Sequence, residues 1–260
     1  GTAVDLKLVA AGTLLPSILA NQGPDVYLGL DQASVINYAI RSALLPVDKV
    51  AEEVGGASEF ENVTSSFTDA AMLVLGVANP DGEMHYYGLP EAQGFTMMFV
   101  REDILANLDI PVPETWDDIL AAIPDLQANN MMIGLSTDYS VFLYQADGDL
   151  YADGGMRINL DSNLALTAFE DMCAMYTMYS FPYQYDFANR FRTGEMPIVI
   201  QNYNFFNQLT VSAPEIKGLW DFTLVPGTEV VDENGNKTGK ISHAANSSSS
   251  GAVIFNKCAD

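Results

Sequence analysis

The sequence has few cationic side chains. Only 11 of its 260 residues are Lys or Arg, against 34 that are Asp or Glu, so the formal net charge is -23. Because a protein that binds a phosphate backbone needs a basic surface, this balance argues against nucleic acid and nucleotides as partners. The excess of carboxylates favours a well-solvated protein and suits neutral or cationic ligands.

Cysteine is also scarce. Cys173, in a helix-like run, and Cys258, near the end, are too few for a disulfide framework and show no metal-ligand spacing, so both are expected to be small apolar residues. No apolar run is long enough to cross a bilayer, and no charged start with an apolar signal region opens the chain. The residues alone therefore indicate neither secretion nor anchoring.

Catalytic motifs are missing as well. His85 and His243 stand near neither a G-x-S-x-G elbow nor a cysteine, and each is expected to have an ordinary hydrogen-bonded or solvent-facing role. There is no phosphate loop and no dinucleotide fingerprint. The Asp-rich runs 147–153 and 232–236 lack the spacing of a calcium loop. The sequence thus predicts no enzyme, no cofactor and no metal, although a glycosidase carboxylate pair has no sequence signature that would exclude it.

The apolar residues, in contrast, are plentiful at 48% of the chain, which is enough for a substantial core. Val4–Val9 alternates like a strand, residues 10–23 predict a short helix, and residues 24–30 predict a second strand. Asp31 and Ser34 can cap the helix that follows. Residues 58–75 predict a further helix. This order predicts an α/β fold with a mainly parallel sheet flanked by helices.

The stretch Tyr87–Leu120 organises the middle of the chain. Phe95–Val100 predicts a strand buried on both faces. After a Pro-x-Pro spacer, a helix is predicted to begin behind Thr115, whose hydroxyl and the Asp118 carboxylate can satisfy the first free amides of the helix. Nothing in this stretch is catalytic.

Three loops mix aromatic with planar polar side chains, the mixture that holds neutral sugars. The loop GLDQ places Asp31 and Gln32 at the carboxyl end of a strand expected to be parallel, where ligands of open α/β sheets bind. PEAQGF lies between two strands, and QNYNFF follows a buried strand. With one further tyrosine, the candidate ligand-binding residues are Asp31, Gln32, Glu91, Gln93, Tyr139, Gln201, Asn202, Tyr203 and Asn204.

Each candidate also has a structural explanation. Asp31 is equally well explained as a helix cap, and Glu91 and Gln93 as solvent-facing side chains. Tyr139 stands at helical spacing, where core packing is as good an explanation, and Phe205 favours the core over a sugar platform.

Several of these segments resemble one family in a fixed order. The run GTAVDLKLVAAGTLLPSILANQGPDVYLGL, then YGLP and PETWDDIL, then FRTGEMPIVIQNYNFF and APEIKGLWDFTLVPG, are similar to the extracellular solute-binding proteins (family 1), the maltose-binding-protein-like carbohydrate-binding proteins of ABC transporters. The resemblance implies a two-lobed, periplasmic-binding-protein-like fold of type II. Hinge strands would join the lobes, and the ligand would bind in the cleft and favour closure.

The resemblance also implies domain boundaries. Lobe 1 is expected at residues 1–92, lobe 2 at 93–248, and a return strand to lobe 1 at 249–260. The family's first strand and first helix have no counterpart here, and the family continues with further helices after the return strand. We therefore expect a fold that is incomplete at both termini, either as the core of a longer protein or with an association that fills the gap.

The function implied by the resemblance is that of a substrate-binding component of an ABC importer. It would capture a carbohydrate, in particular an oligosaccharide, and deliver it to the membrane permease subunits. Its location would be extracellular, at the cell surface as a lipoprotein, or periplasmic. A carbohydrate-active enzyme and a cell-surface carbohydrate-interaction module remain as alternatives.

Overall fold

The computed structural model describes residues 3–9, 11–20, 22–78, 82–153, 156–231 and 236–256. The chain divides into two compact units: unit 1 is Gly1–Gln93 with Ser248–Asp260, and unit 2 is Gly94–Ser247. Helices and strands alternate in both, so the predicted α/β class is confirmed. None of the helices in the described ranges combines the length and the apolarity that a membrane crossing requires.

The first part of the chain begins with a short 3-10 helix, Ala11–Thr13. It continues with α1 Leu14–Leu19, β1 Val26–Asp31, α2 Gln32–Ile40, β2 Leu44–Leu45, α3 Val47–Glu53, α4 Ala57–Thr64, α5 Asp69–Leu73, β3 Gly76–Ala78, β4 Met84–Tyr86 and β5 Leu89–Val100.

The remaining elements are α6 Glu102–Asn107, α7 Trp116–Ala128, β6 Ile133–Leu135, α8 Ser140–Gln145, β7 Tyr151–Ala152, β8 Arg157–Ile158, α9 Asn163–Thr177, α10 Phe187–Thr193, β9 Ile198–Asn202, α11 Asn204–Ser212, a 3-10 helix Pro214–Ile216, β10 Asp221–Thr223, β11 Thr228–Val231, β12 Lys237–Ser242 and β13 Ser247–Phe255.

In unit 1, β13 pairs antiparallel with β1 and with β2. Strand β1 lies at the end of the strand order, and in the described part of the chain it has a ladder partner on one side only. Its Val26 and Leu28 side chains are exposed, whereas Leu30 is buried. The core of the unit joins Leu30 to residues of α1, α2, β2 and β13 and to the residue before β3, namely Leu14, Val35, Tyr38, Leu44, Val253, Phe255 and Leu75.

Two predictions for unit 1 are wrong. Val4–Val9 is not a strand, because no described strand pairs with it, and Val4, Leu6 and Leu8 are all exposed. The helix predicted over 58–75 is two helices, α4 and α5. The Ser65 and Ser66 hydroxyls donate to the carbonyls of Asn62 and Val63 at the end of α4, and Thr68 caps a new helix. Such local bonds compete with helix continuation.

In unit 2, β5 pairs antiparallel with β9 and β10, and β9 pairs parallel with β6. The prediction of a mainly parallel sheet is therefore wrong in its strand directions, since the β6–β9 pair is parallel whereas the β5–β9, β5–β10, β1–β13 and β2–β13 pairs are antiparallel. The apolar run in β5 predicted burial on both faces. An antiparallel strand can also be buried on both faces, so this burial does not indicate a parallel neighbour.

The start of α7 forms as predicted. Thr115 Oγ1 accepts a hydrogen bond from the Asp118 amide at 3.1 Å, and Asp118 Oδ2 accepts one from the Thr115 amide at 2.9 Å, which completes a capping box. The hydrogen bond that the Thr115 hydroxyl donates to Asp118 lowers the pKa of this carboxyl. Local sequence thus fixes this helix end.

A buried amide connects four segments of unit 2. Gln145 Oε1 accepts hydrogen bonds from Trp116 Nε1 at 2.8 Å and Thr228 Oγ1 at 2.9 Å. Gln145 Nε2 donates to the carbonyls of Pro226 at 2.9 Å and Ala244 at 3.1 Å. Its side chain thus joins α8 to α7, to the β11–β12 ribbon and to the segment before β13. All of its hydrogen-bonding capacity is used.

Candidate functional site

The carboxyl ends of β6 and β9 lie side by side in unit 2. These strands are parallel, with Leu135 opposite Ile200, and the Ser136 amide donates to the Ile200 carbonyl at 2.8 Å beyond the end of β6. The loops that follow, residues 136–139 and 201–204, therefore start at the same edge of the sheet. Ligands of open α/β sheets bind at this kind of edge.

The first loop contains a chain of polar contacts. Asp138 Oδ1 accepts hydrogen bonds from the Ser140 amide at 3.0 Å and from the Ser140 hydroxyl. The same hydroxyl oxygen lies 2.9 Å from Asn246 Oδ1. A hydroxyl has one proton, and here it goes to the carboxylate. Turning the Asn246 amide lets its NH2 group donate to the Ser140 oxygen instead, so Asp138, Ser140 and Asn246 form one polar cluster.

Two hydroxyl groups of this loop have no partner. Thr137 Oγ1 and Tyr139 OH are both shielded from solvent, and neither has a hydrogen-bond partner among the described residues. The Tyr139 ring packs edge-on against Phe169, with ring centres 6.2 Å apart. A buried polar group without a partner costs about 1–3 kcal/mol, so a water molecule or a ligand group that bonds either hydroxyl would stabilise the loop.

The second loop has an aromatic stack. Tyr203 stacks on Phe95 with ring centres 5.0 Å apart and on Phe206 with ring centres 5.5 Å apart. Tyr203 is partly buried, whereas Phe95 is 37% exposed. Phe95 is therefore the ring of this stack that offers the larger free surface, and Tyr203 supports it.

The amides of the second loop stabilise its backbone. Gln201 Oε1 accepts from the Asn202 amide at 2.9 Å, and Asn202 Oδ1 accepts from the Asn204 amide at 3.0 Å. Asn204 itself is exposed at the start of α11. Gln201 and Asn202 keep their NH2 groups as donors, and Asn204 presents its whole side chain.

Thr96 connects the two loops. It stands opposite Asn202 in the β5–β9 register, and its amide donates to the Asn246 carbonyl at 3.3 Å. Because Asn246 contacts Ser140, the chain of contacts runs from loop 201–204 to loop 136–139. The structure thus brings together all the candidates of unit 2, Tyr139 and residues 201–204.

In unit 1, Asp31 is the N-cap of α2, as its alternative explanation predicted. Its carboxylate accepts from the Ser34 amide at 2.9 Å and from the Ser34 hydroxyl at 2.7 Å, and the hydroxyl contact lowers the pKa of Asp31. Gln32 is the first residue of that helix. Asp31 pairs with Ser250 of β13, so the strand it ends is antiparallel and not parallel as expected.

Glu91 already has an internal partner. The β1–β13 register shifts between Tyr27 and Leu30, and in this bulge Gly29 has a φ of 77°. The Gly29 amide donates to Glu91 Oε2 at 2.6 Å. Glu91 therefore holds the bulge that precedes Asp31, although it is exposed as one alternative predicted. Gln93 is exposed on β5.

The sequence model for bacterial extracellular solute-binding proteins matches residues 10–259 of the chain. The chain belongs to this family. The predicted recognition is thereby confirmed, and the assignment is to binding proteins rather than to enzymes. A comparison with curated protein sequences finds no match to the solute-binding protein described here.

Solved structures of ABC transporter binding proteins share the fold. A Thermotoga lettingae solute-binding protein bound with α-D-tagatose has a TM-score of 0.71 at 19% identity, over 95% of this chain and 62% of that chain. A Listeria monocytogenes protein in complex with cycloalternan gives 0.71 at 16% identity, over 95% and 62%. Maltose-bound MalE3 of T. maritima gives 0.68 at 19% identity, over 94% and 60%. The likeness confirms the periplasmic-binding-protein-like fold, and this solute-binding protein spans 60–62% of the length of these relatives.

The two histidines of this solute-binding protein lie outside the two loops, and Asp138 is the one acidic residue within them. Across the ranges that the structure describes, no three His, Cys, Asp or Glu side chains are grouped to hold a metal ion. Asp232, Asn234 and Cys258 lie outside the described residues. His85 is buried with its Nδ1 2.7 Å from Asp48 Oδ2, and His243 Nδ1 donates to the Val225 carbonyl at 2.8 Å, so the hydrogen-bonded role expected for both is confirmed.

Sequence reasoning missed five residues of the site, namely Phe95, Thr137, Asp138, Ser140 and Asn246. Asp138 and Ser140 carried a signal, because an Asp two residues before a helix start can accept its first amides. Phe95 was assigned to a buried strand, whereas in the structure its ring is partly exposed and stacks on Tyr203. Asn246 contacts Ser140 across 106 positions of sequence, for which no local pattern exists.

Proposed function

We propose that this solute-binding protein captures a carbohydrate, in particular an oligosaccharide, as the substrate-binding component of an ABC importer. The observation that carries the proposal is the carboxyl edge of β6 and β9, where the open Phe95 ring stands beside amides and hydroxyls. Aromatic faces pack on the C–H surfaces of sugar rings, and amides and carboxylates bond sugar hydroxyls. The sugar-bound state of the three related structures supports the same class of ligand.

The assignment of residues and boundaries is part of the proposal. We assign Tyr139 and residues 201–204 to the ligand site of unit 2, with Phe95 as the stacking ring. We assign Asp31, Gln32 and Gln93 to ligand contacts of unit 1, and Glu91 to the support of the bulge before Asp31. Lobe 1 would comprise residues 1–92 and 249–260, and lobe 2 residues 93–248.

The partners and the location follow from the family. The protein would act outside the cytoplasm, at the cell surface or in the periplasm, and hand its ligand to the permease subunits of a membrane transporter. In vesicles that contain the matching permease, uptake of the sugar should depend on this protein.

A thermal-shift screen tests the proposal. The 260-residue chain is melted with neutral mono- and oligosaccharides, and a ligand should raise the melting temperature in proportion to the logarithm of its concentration above the dissociation constant. Hits are then measured by calorimetry with Phe95→Leu and Asn204→Ala. Each variant should weaken binding at least about fivefold, the loss of roughly one stacking contact or hydrogen bond.

Asn207→Ala is the matched control, because Asn207 is also exposed and lies one turn further along α11. It should bind as the wild type does. If no sugar stabilises the protein, the proposed function is wrong. If sugars bind but Phe95→Leu and Asn204→Ala behave like Asn207→Ala, the site is misplaced. Turnover of a chromogenic glycoside would contradict the assignment as a binding protein.

A further inference from the structure

We infer that the site selects neutral, hydroxyl-bearing ligands and rejects anionic ones, and that Asp138 makes this distinction. The inference rests on the proposed function and specifies its ligand. Asp138 is exposed at the carboxyl edge of β6, and the contacts of its carboxylate within the described residues are both to Ser140, through Oδ1. Its second oxygen is therefore available to a ligand.

An acceptor in this position requires a donor. A sugar hydroxyl donates its proton to a carboxylate and accepts a hydrogen bond at the same time. A ligand carboxylate or a doubly ionised phosphate has no proton to give, so it would face Asp138 with like charge and no hydrogen bond between them.

The two hydroxyls without partners fit the same ligand. Thr137 and Tyr139 flank Asp138 in the loop, and each hydroxyl can donate or accept. A polyhydroxyl ligand satisfies acceptors and hydroxyls together because each of its groups has both functions. The loop thus offers a carboxylate and two hydroxyls.

Seven of the basic side chains form ion pairs away from the two loops. In the described part of the chain, the ion pairs join basic residues to carboxylates outside residues 136–140 and 201–204; the basic partners are Lys7, Lys49, Arg101, Arg157, Arg190, Arg192 and Lys237. A buried or half-buried anion binds well when a cation or several N–H donors compensate it. Within residues 136–140 and 201–204, Asp138 is the one charged side chain.

Asp138→Asn tests this inference. Asparagine keeps an oxygen that accepts from Ser140, and it removes the negative charge. Asp125→Asn is the matched control, because it makes the same change of net charge at an exposed position of α7. Circular dichroism and the melting temperature without ligand should show that both variants fold as the wild type does.

Each pair of probes consists of a neutral sugar and an anionic derivative of the same sugar. They are tagatose and tagatose 6-phosphate, maltotriose and its C1-oxidised acid, and cellotriose and its C1-oxidised acid, each measured by calorimetry. In the wild type, the neutral member should bind at least about tenfold more tightly than the anionic member. Asp138→Asn should reduce this ratio at least about fivefold, because unit charges about 4 Å apart repel by about 1 kcal/mol even at the dielectric constant of water.

Each outcome decides the question. Equal or tighter binding of the anionic member by the wild type would overturn the selectivity. If Asp138→Asn changes the preference for the neutral member no more than Asp125→Asn does, the role of Asp138 is overturned. If neither member of any pair binds, and the wider neutral sugars of the thermal-shift screen also fail, the proposed function itself is wrong and this inference falls with it.

Discussion

Replacing Gln145 by leucine should destabilise unit 2 severely, although the two side chains are similar in size. Four hydrogen bonds are lost at once, with Trp116, Thr228, Pro226 and Ala244. The Thr228 hydroxyl and the Ala244 carbonyl are partly exposed and can turn to water. The Trp116 indole N–H and the Pro226 carbonyl are buried and stay unpaired.

The magnitude follows from those two groups. Each buried polar group without a partner costs about 2 kcal/mol, so together they cost about 4 kcal/mol. The apolar contacts of the new leucine offset about 1 kcal/mol. We therefore expect Gln145→Leu to lower the free energy of unfolding by about 3 kcal/mol. Gln127→Leu makes the same change on the exposed side of α7 and should stay within about 0.5 kcal/mol of the wild type.

Urea unfolding followed by tryptophan fluorescence measures this, because Trp116 and Trp220 both belong to unit 2. Trp116→Phe removes the indole N–H and preserves a ring against Phe142, whose centre lies 4.6 Å away. In the Gln145→Leu background this second change should cost about 1–2 kcal/mol less than in the wild type. Strictly additive costs, or a loss under about 1 kcal/mol for Gln145→Leu alone, would refute the reasoning.

Three further predictions concern single contacts. Arg101 is buried, and it donates to both oxygens of Asp103 and to two carbonyls at the end of α10. Arg101→Lys should therefore lower the free energy of unfolding, measured in urea, by about 3 kcal/mol. A loss near zero would contradict this. The Arg101 contact lowers the pKa of Asp103, so its stabilisation is complete above the ordinary carboxyl pKa of about 4 and is lost as the pH falls through the lower folded value. Asp103→Asn should flatten the acid limb of the stability profile, and Asp125→Asn should not. Gly194 ends α10 with a φ of 85°, so Gly194→Ala should lower the free energy of unfolding by about 1–2 kcal/mol. Gly12 lies in open space without a positive φ, so Gly12→Ala should leave the free energy of unfolding unchanged. Equal effects of Gly194→Ala and Gly12→Ala in thermal melts would argue against backbone strain.

Sequence predicted those features that local chemistry determines. The start of α7 needed only Thr115 and Asp118, three residues apart, and it formed as predicted. The cap of α2 at Asp31 is of the same kind. Where local signals compete, as at the serines that end α4, the apolar periodicity gave one helix in place of two.

Strand direction and long-range polar contacts were beyond the sequence. An apolar run predicts burial, but the run in β5 has no feature that tells a parallel from an antiparallel neighbour. The contacts of Gln145 reach 81 and 99 positions along the chain. In the candidate site, the loop residues 201–204 were found because they follow a strand, whereas Asn246 enters through its tertiary position alone.

The one-sided pairing of β1 has a consequence for the behaviour of the protein in solution. Its free edge, with Val26 and Leu28 exposed beside it, is a template for strand pairing between molecules. The net charge of -23 opposes such encounters through repulsion that acts over about 10 Å at 0.1 M salt and about 3 Å at 1 M. The protein should therefore remain dispersed in dilute buffer and self-associate as salt is added.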